Sequence, residues 1–212
     1  MVTRGRPRSF DRDAALRAAM LTFWRLGYEG ASMAELTRAM GINSPSLYAC
    51  FGSKEELFRA AVEFYLQDQD RQTWNVLDEE PTARAGVRSM LLRSPCAGQG
   101  QPRGCLVVLA DANASAAHAG VRRYLTQHRA RVQASIEKRL HRAAAEGELP
   151  PGADVTGMAS FYMTVLQGLS LQARDGASPE TISAIVESAM AAWDSLATPH
   201  AKTPKPKAKK TA

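Results

Sequence analysis

SMAELTRAMGINSPSLYACF, residues 32–51, is the stretch that decides the fold, because it has the pattern of two short helices joined by a glycine turn. Leu36 and Met40 are four residues apart and share the inner face of the first helix. Gly41 ends this helix at a position where a positive φ is usually needed. Asn43 is a favoured N-cap for the helix that follows. The spacing therefore predicts a helix-turn-helix.

The second of these helices has the composition of a recognition helix, which is short and carries small and polar side chains near its start. Pro45 falls in the first turn, where its missing N–H costs little. Leu47 is expected to face the core. The other side chains are expected to face outward: Ser44, Pro45, Ser46, Tyr48 and Ala49. Taken alone, the stretch is also compatible with an ordinary helical hairpin.

The flanking residues favour DNA binding. Ser32 and Glu35 have the capping-box spacing at the start of the first helix, and Ser53 and Glu56 repeat it farther along the chain. A helix N-terminus presents free N–H groups and the positive end of the helix dipole, so it can hold a DNA phosphate. Lys54 begins the later helix and is expected to point toward whatever the recognition helix touches.

GYEGASMAELTRAMGINSPSLYACFGSKEELF, residues 27–58, strongly resembles the DNA-binding domain of TetR-family transcriptional regulators, and the likeness begins at Phe10. The glycine turn, the Gly-Ile turn, the Leu-Tyr pair and the Phe-Gly-Ser-Lys step all have the family spacing. The resemblance implies that Tyr48 and Lys54 bind phosphates and that Ser32 anchors its helix to the DNA backbone. Many relatives carry a basic residue directly after the cap of the recognition helix, where this chain has serine. The complete set of predicted DNA contacts is Arg4, Arg6, Arg8, Ser32, Met33, Asn43, Ser44, Pro45, Ser46, Tyr48, Ala49 and Lys54.

The formal net charge of +6 is concentrated at the two ends of the chain. Residues 1–9 form a short arm with three arginines and no acid, and residues 198–212 form a Lys/Pro-rich tail that is expected to be disordered. An arginine arm of this kind can lie in a narrow minor groove. Basic ends on a nearly neutral body are typical of a protein that meets nucleic acid, although the tail is equally compatible with a role in solubility.

The composition also excludes several classes of protein. No run of 18 apolar residues occurs, so no transmembrane helix and no membrane partner are expected. Three cysteines favour a reducing compartment, and we expect a cytoplasmic protein. The HExxH, GxSxG, Walker and GxGxxG motifs are missing, so the sequence predicts no enzyme, no cofactor and no metal site. Of the four scattered histidines, His118 is expected to be a structural hydrogen-bonding residue.

After a DNA-binding domain at residues 10–56, residues 57–197 have the pattern of a helical domain, so the chain is predicted to be all-α. The resemblance to TetR-family regulators implies that this second domain binds a ligand and forms the dimer. Helices are expected over 57–77, 82–93, 104–115, 119–147, 153–174 and 179–196, with a Gly/Pro-rich loop at 94–104. The last two helices resemble the dimer-forming pair of TetR-like regulators, or else they only close the core of the single chain. Their predicted interface residues are Leu166, Leu169, Ile182, Val186, Met190 and Trp193.

A pocket in this second domain is expected to take a small apolar or aromatic effector. Its predicted lining, chosen by residue type and helix face, is Phe64, Trp74, Cys105, Phe161, Tyr162 and Gln167. For the aromatic stripe of the helix at 57–77, which contains Phe64, Tyr65 and Trp74, core packing is the alternative, since helical spacing alone gives the same stripe.

The cysteines raise a second possibility for sensing. Cys105 opens a predicted helix, whose N-terminus favours the thiolate, and Arg103 is expected to act in the same direction. Cys96 lies nine positions earlier, in the predicted loop, so the two thiols could meet. The Gly-Cys-Leu start of this helix resembles a branch of TetR-like regulators that includes sensors of electrophiles and oxidants. Cys50, by contrast, is expected to pack as a small hydrophobic residue.

These patterns predict a homodimeric repressor that leaves a pseudo-palindromic operator when a small effector binds. A thiol-based repressor that senses an electrophile or oxidant through Cys105 is one alternative. A ligand-independent architectural DNA-binding protein is another, suggested by the basic tail. An enzyme that uses Cys105 as a nucleophile is disfavoured, because no histidine is evidently placed as its base.

Overall fold

The computed structural model describes residues 10–69, 75–93, 102–110 and 118–198, and every regular element in these ranges is helical. This confirms the predicted all-α class. Predictions for Arg4, Arg6, Arg8, Trp74, Cys96 and the tail beyond residue 198 lie outside the described residues. The helices are α1 (Arg12–Gly30), α2 (Met33–Met40), α3 (Ser44–Phe51), α4 (Lys54–Gln69), α5 (Val76–Glu79), α6 (Ala83–Arg93), α7 (Leu106–Leu109), α8 (Ala119–Ala145), α9 (Val155–Arg174), α10 (Pro179–Ala191) and α11 (Trp193–Ala197).

Helices α1 to α4 form the head of the molecule. The Asp11 side chain caps α1 by accepting from the backbone N–H groups of Asp13 and Ala14. Gly27 interrupts the regular geometry of α1 with φ 71°, close to the predicted end of the helix. Just before and after this kink, Phe23 and Tyr28 are buried, and both contact the ring of Phe58 on α4. The aromatic contacts lock α1 against α4.

The hydrophobic core consists of two clusters that do not follow the order of the chain. The first joins the head to α7 and to the beginning of α8, through Leu106, Val107, Val121 and Leu125. The second joins α5, α6, α9, α10 and α11 to the later part of α8, and we call this half the body. Since α8 contributes to both clusters, it is the element that connects the body to the head.

A buried ion pair holds the far end of the body together. Arg139 on α8 is almost completely buried, and its Nη2 donates to Glu148 Oε1 at 3.1 Å. The other Glu148 oxygen accepts from the backbone N–H of Ala83 at 2.6 Å, and Arg139 Nε donates to the carbonyl of Leu77 at 3.0 Å. One charge pair therefore ties together α5, α6 and the end of α8.

Three predicted helices differ from the observed ones. Leu77, predicted at the end of a helix that began at residue 57, lies in the separate one-turn helix α5, whose N-cap is Asn75. In the predicted helix at 104–115, the described helical residues are Leu106–Leu109. The predicted helix 179–196 breaks at Ala192, after which Trp193 packs with its ring 5.5 Å from that of Tyr162. Short breaks that serve side-chain packing leave little trace in apolar periodicity.

The residues predicted for the dimer interface are buried within the single chain. Leu166, Leu169, Ile182, Val186, Met190 and Trp193 all belong to the body cluster. The apolar stripe of each helix therefore faces the core of its own protomer, and a partner chain would have to use other residues of α9 and α10. Within the described ranges, none of the helices has the length and apolar character needed to cross a membrane.

Candidate DNA-binding site and regulatory cavity

The turn between α2 and α3 has the geometry that its sequence predicts. Gly41 adopts φ 65°, and its N–H closes the end of α2 on the carbonyls of Arg38 and Thr37. The Asn43 side chain then caps α3, with its Oδ1 accepting from the backbone N–H of Ser46 at 2.9 Å. Leu47 is fully buried and fixes the rotation of α3 about its axis.

This rotation turns one face of α3 outward. Tyr48 is 49% exposed, so its ring and hydroxyl are available for contact at the surface of α3. Ser44, Pro45 and Ala49 are also exposed, whereas Ser46 is half-buried. Cys50 is half-buried and packs against the head core, as predicted from its inward position. Apart from Tyr48, the exposed side chains of α3 are small, and none of them is charged. This face can therefore approach the edges of bases closely.

The N-terminus of α2 forms the complete capping box. Ser32 Oγ accepts from the Glu35 N–H at 3.2 Å, and Glu35 Oε2 accepts from the Ser32 N–H at 2.8 Å. The hydroxyl and the N–H of Ser32 lower the pKa of Glu35. Met33, the next predicted DNA contact, is half-buried and packs against the head core. Ser32 itself is exposed at this helix end, where a phosphate could be held.

Lys54 opens α4, and its ammonium nitrogen lies 4.7 Å from the centre of the Tyr28 ring. Partial burial lowers the pKa of Lys54, although Glu29 and Glu35 act in the opposite direction. The Ser53 hydroxyl caps the same helix by accepting from the Glu56 N–H at 3.1 Å. Lys54 is therefore a held cation at the helix N-terminus that follows the recognition helix.

A small cavity of about 40 Å³ lies where α4, α7, α8 and α9 meet. Of the six predicted pocket residues, Cys105 lines this cavity. The lining consists of Tyr65, Leu66, Cys105, Val107, Val108, His128, Arg129, Val132, Met163, Leu166 and Ser170. It is largely apolar, with the Cys105 thiol, the His128 ring and the Ser170 hydroxyl as polar groups that could orient a ligand.

Other predicted pocket residues have different surroundings. Phe64 lies under the guanidinium of Arg17, 5.1 Å from its ring centre, beside the head. Tyr162 is fully buried in the body, and this burial raises its pKa to about 12. Phe161 packs on Tyr162 with ring centres 5.2 Å apart. Gln167 is half-buried and is not among the residues that line the cavity. Tyr162 therefore packs in the body core.

Cys105 lies beside Tyr65 in the wall of the cavity, and Tyr65 is not among the predicted pocket residues. Burial, together with the neighbouring Cys105 thiol, raises the pKa of Tyr65 well above its ordinary value. Gly104, at φ 83°, brings the chain so close to α9 that a Cβ would collide with the Ser170 carbonyl. The Arg103 guanidinium donates to the carbonyl of Ala177 at 3.4 Å, and its effect on the thiol stays a prediction.

Polar contacts connect the cavity to α4. His128 Nε2 lies 3.5 Å from Glu63 Oε1, and the same carboxylate oxygen accepts from the Tyr124 hydroxyl at 2.7 Å. Burial and the bond to Glu63 raise the pKa of Tyr124. His128 and Met163 were missed by sequence reasoning, since a lone histidine and a core methionine carry no motif. Their common signal is only that each faces inward on a long helix.

Comparisons with known proteins agree with a DNA-binding head joined to a helical body. Residues 15–61 match the family model described as bacterial regulatory proteins, tetR family, and residues 91–194 match the tetracyclin repressor-like C-terminal domain. The HTH-type transcriptional repressor ComR of Escherichia coli K12 is 34% identical over 197 residues, covering 92% of this chain and 94% of ComR. The repressor BdcR of the same organism is 30% identical, covering 85% of this chain and 87% of BdcR.

Among solved structures, a cysteine mutant of the TetR family transcriptional regulator CifR, complexed with 26-base-pair operator DNA, is similar throughout. It is 47% identical, covers 89% of this chain and 100% of its own, and superposes with a TM-score of 0.85. A second cysteine mutant of CifR, on the same length of operator DNA, gives 46% identity over the same shares of both chains and a TM-score of 0.86. The chain therefore belongs to the tetR family of bacterial regulatory proteins, which are DNA-binding transcriptional regulators and not enzymes.

Proposed function

We propose that this protein is a homodimeric repressor that binds a pseudo-palindromic operator through α3 of each protomer. The observation that carries the proposal is the outward face of α3, with exposed Tyr48 presented by a capped and tightly anchored helix. Ser44, Pro45, Ser46 and Ala49 would lie nearest the base edges in the major groove. Tyr48, Lys54 and the α2 N-terminus at Ser32 would hold phosphates on either side.

Relatives support both the role as a repressor and the binding to operator DNA. ComR and BdcR are named as transcriptional repressors, and the CifR structures are complexes with operator DNA. A recognition helix contacts only a few base pairs, so two copies related by a two-fold axis are needed to read an operator. The arginine arm, Arg4, Arg6 and Arg8, would add contacts in the adjacent minor groove.

The dimer would form through the outer faces of α9 and α10. The exposed stripe of α9 contains Thr164, Gly168 and Leu171, and that of α10 includes Ala184 and Ser188. These five residues carry no charge, whereas the exposed face of a solvated helix is usually rich in charged residues. Gly168 has open space beyond it, so a helix of a second protomer could approach closely. A four-helix interface made by these faces agrees with the resemblance to TetR-like regulators.

An effector would act at the cavity lined by Tyr65 and Cys105. About 40 Å³ is room for very few water molecules, so an apolar or aromatic effector would have to displace side chains or spread the helices. Tyr65 belongs to α4, which is part of the head, and His128 belongs to α8, whose beginning packs against the head. A ligand favours the conformation that it binds more tightly, so occupancy would select a dimer whose heads no longer match the operator spacing.

A second candidate function is thiol sensing at Cys105, which the contact with Tyr65 supports. Modification of the thiol would add volume to a cavity that has almost none to spare, and the added group would press on the neighbouring Tyr65 side chain. Because Tyr65 belongs to α4, modification of the thiol would displace α4 as a bound effector would, without any non-covalent ligand. Both mechanisms therefore use one cavity and differ in whether a covalent bond forms at sulfur.

DNA selection from a random pool, followed by footprinting on the enriched sequence, tests the proposed function. The expected result is an inverted repeat protected by a dimer, with two half-sites about one helical turn apart. Enrichment of A·T-rich DNA without symmetry would contradict it and favour an architectural protein. A fragment that ends at residue 198 separates the two further, because an architectural protein would lose binding with its tail.

A further inference from the structure

The side chains of Lys54, Tyr28 and His118 come from different parts of the fold and contact one another in series in the head. The Lys54 ammonium lies 4.7 Å from the centre of the Tyr28 ring. The same ring meets the ring of His118 edge to face, with the centres 4.9 Å apart. Lys54 belongs to α4, Tyr28 to the last turn of α1, and His118 directly precedes α8. These contacts therefore connect Lys54, the expected phosphate-binding residue, to α8, the helix that leads into the body.

A second set of contacts holds α8 at this place. His118 Nε2 lies 4.0 Å from Glu29 Oε1, next to Tyr28 in the chain. Gly120 approaches Glu55 so closely that an added Cβ would lie 2.7 Å from Glu55 Oε1. Farther along, the Tyr124 hydroxyl donates to Glu63, and His128 Nε2 lies near the same carboxylate. The contacts between α4 and α8 therefore continue along both helices. A continuous series of contacts between α4 and α8 thus runs from the cavity to the first turn of α8.

His118 itself contributes little to the stability of α8. Its side chain makes no capping hydrogen bond, although it occupies the N-cap position. The histidine is about one-third exposed, unlike the buried residues of the head core. Its contacts are directed at Tyr28 and Glu29 of α1.

We propose that Tyr28 and His118 are positioning residues for DNA binding: His118 holds the Tyr28 ring, the ring holds the Lys54 ammonium, and the body thereby controls a phosphate contact. This inference rests on the proposed function, since it takes Lys54 to bind a phosphate. A lysine has four rotatable bonds, and an aromatic face that holds its ammonium in advance reduces the entropy lost on binding. Withdrawal of His118 with α8 would release the ring and weaken operator binding.

The test measures operator affinity and its salt dependence for variants of the full-length chain. His118→Ala removes the contact to Tyr28, and His118→Phe keeps an aromatic edge there while it loses the contact to Glu29. Tyr28→Phe keeps the ring, and Tyr28→Leu removes it. His141→Ala is the matched control, because His141 is an exposed histidine of the same helix that faces Glu137 at 3.9 Å. Each variant is also made in a Lys54→Ala background.

We expect His118→Ala and Tyr28→Leu to weaken operator binding about three- to tenfold and to lower the salt slope toward that of Lys54→Ala. His118→Phe, Tyr28→Phe and His141→Ala should bind like the wild type. In the Lys54→Ala background, His118→Ala should have no further effect. A purely structural role would instead lower the thermal midpoint without changing the salt slope.

Two outcomes would overturn the inference while leaving the proposed function intact. One is wild-type affinity and slope for His118→Ala when Lys54→Ala is weakened. The other is a loss in His118→Ala that simply adds to the loss in Lys54→Ala. If Lys54→Ala itself binds the selected operator as the wild type does, the phosphate contact assigned under the proposed function is wrong, and the inference falls with it.

Discussion

Tyr65 and Cys105 lie side by side in the wall of the cavity, where the Cys105 thiol adds to the burial that raises the pKa of Tyr65. Tyr65 also packs edge to face on Trp24, with ring centres 4.9 Å apart, so it links the cavity to α1 as well as to α4. Any group that enters the cavity or attaches to the sulfur must disturb a tyrosine that is part of the head core. The proposed sensing site would therefore lie one side chain away from the DNA-binding domain.

The first prediction separates the two sensing mechanisms. Cys105→Ser should bind the operator like the wild type, because serine is close to cysteine in size and the position lies in the cavity wall, away from the predicted DNA contacts. If the thiol senses, this variant should stay on DNA in the presence of a quinone or peroxide that releases the wild type. Cys50→Ser, at the half-buried head cysteine, is the control and should still be released. Equal release of Cys105→Ser and the wild type would leave the non-covalent effector as the mechanism.

The second prediction concerns the phosphate contacts. Tyr48→Ala and Lys54→Ala should each weaken binding to specific and non-specific DNA, and Lys54→Ala should reduce the salt slope by about one. Fluorescence anisotropy from low to moderate salt measures both quantities. Lys138→Ala removes an exposed cation of α8 at a distance from the head and should change neither. Unchanged affinity in both Tyr48→Ala and Lys54→Ala would contradict the placement of the head on DNA.

The third prediction tests the proposed dimer surface. Gly168→Glu puts a charged side chain into open space on the outer face of α9, so it should leave the protomer folded but separate the two copies. Sedimentation velocity should show a monomer with wild-type helical content by circular dichroism. Ala134→Glu, at an exposed position on α8, should remain dimeric. A dimer in Gly168→Glu would show that the copies meet elsewhere.

The fourth prediction concerns the buried pair Arg139 and Glu148. Glu148→Gln leaves the Arg139 guanidinium buried without its counter-charge, so the free energy of unfolding should fall by about 2–3 kcal/mol. Urea denaturation at neutral pH measures the loss. Glu146→Gln, at an exposed neighbour, should change stability by less than about 0.5 kcal/mol. A similar loss in both variants would rule out the buried pair as the cause.

The same pair sets a pH dependence. Burial raises the pKa of Glu148, but the Ala83 N–H and the Arg139 guanidinium outweigh this effect and lower it overall. Because the folded-state pKa is below the unfolded value of about 4.3, the contribution of Glu148 is fully present above that value. It is lost as the pH falls through the lower folded pKa. The stability difference between the wild type and Glu148→Gln should therefore shrink in acid.

Local signals made the head predictable. Gly41, Asn43, Ser32 and Glu35 act on backbone groups within four residues of themselves, so their caps and turns follow from spacing alone. The apolar period of α3 likewise predicted that Leu47 is buried and Tyr48 exposed. The family resemblance then supplied roles for residues whose positions were already constrained.

The cavity could not be predicted in this way. Its wall takes side chains from four helices, and their rotations about their own axes are decided by packing across the whole core. Tyr65 and Cys105 are distant in sequence, and no motif relates them. Apolar periodicity also cannot say whether a stripe meets its own core or another chain, which is why the predicted interface residue Val186 lies inside the protomer.

The sequence by itself determined that this chain is an all-α regulator with a helix-turn-helix head, because helix caps, glycine turns and apolar periods are short-range and specific. The tertiary structure alone decided which residues surround the cavity and which face of α9 remains exposed. It also decided that Lys54, Tyr28 and His118 lie in contact, since His118 is brought to the head only by the path of α8. Contacts between distant segments depend on how helices pack as whole surfaces, and that information is spread over the entire chain.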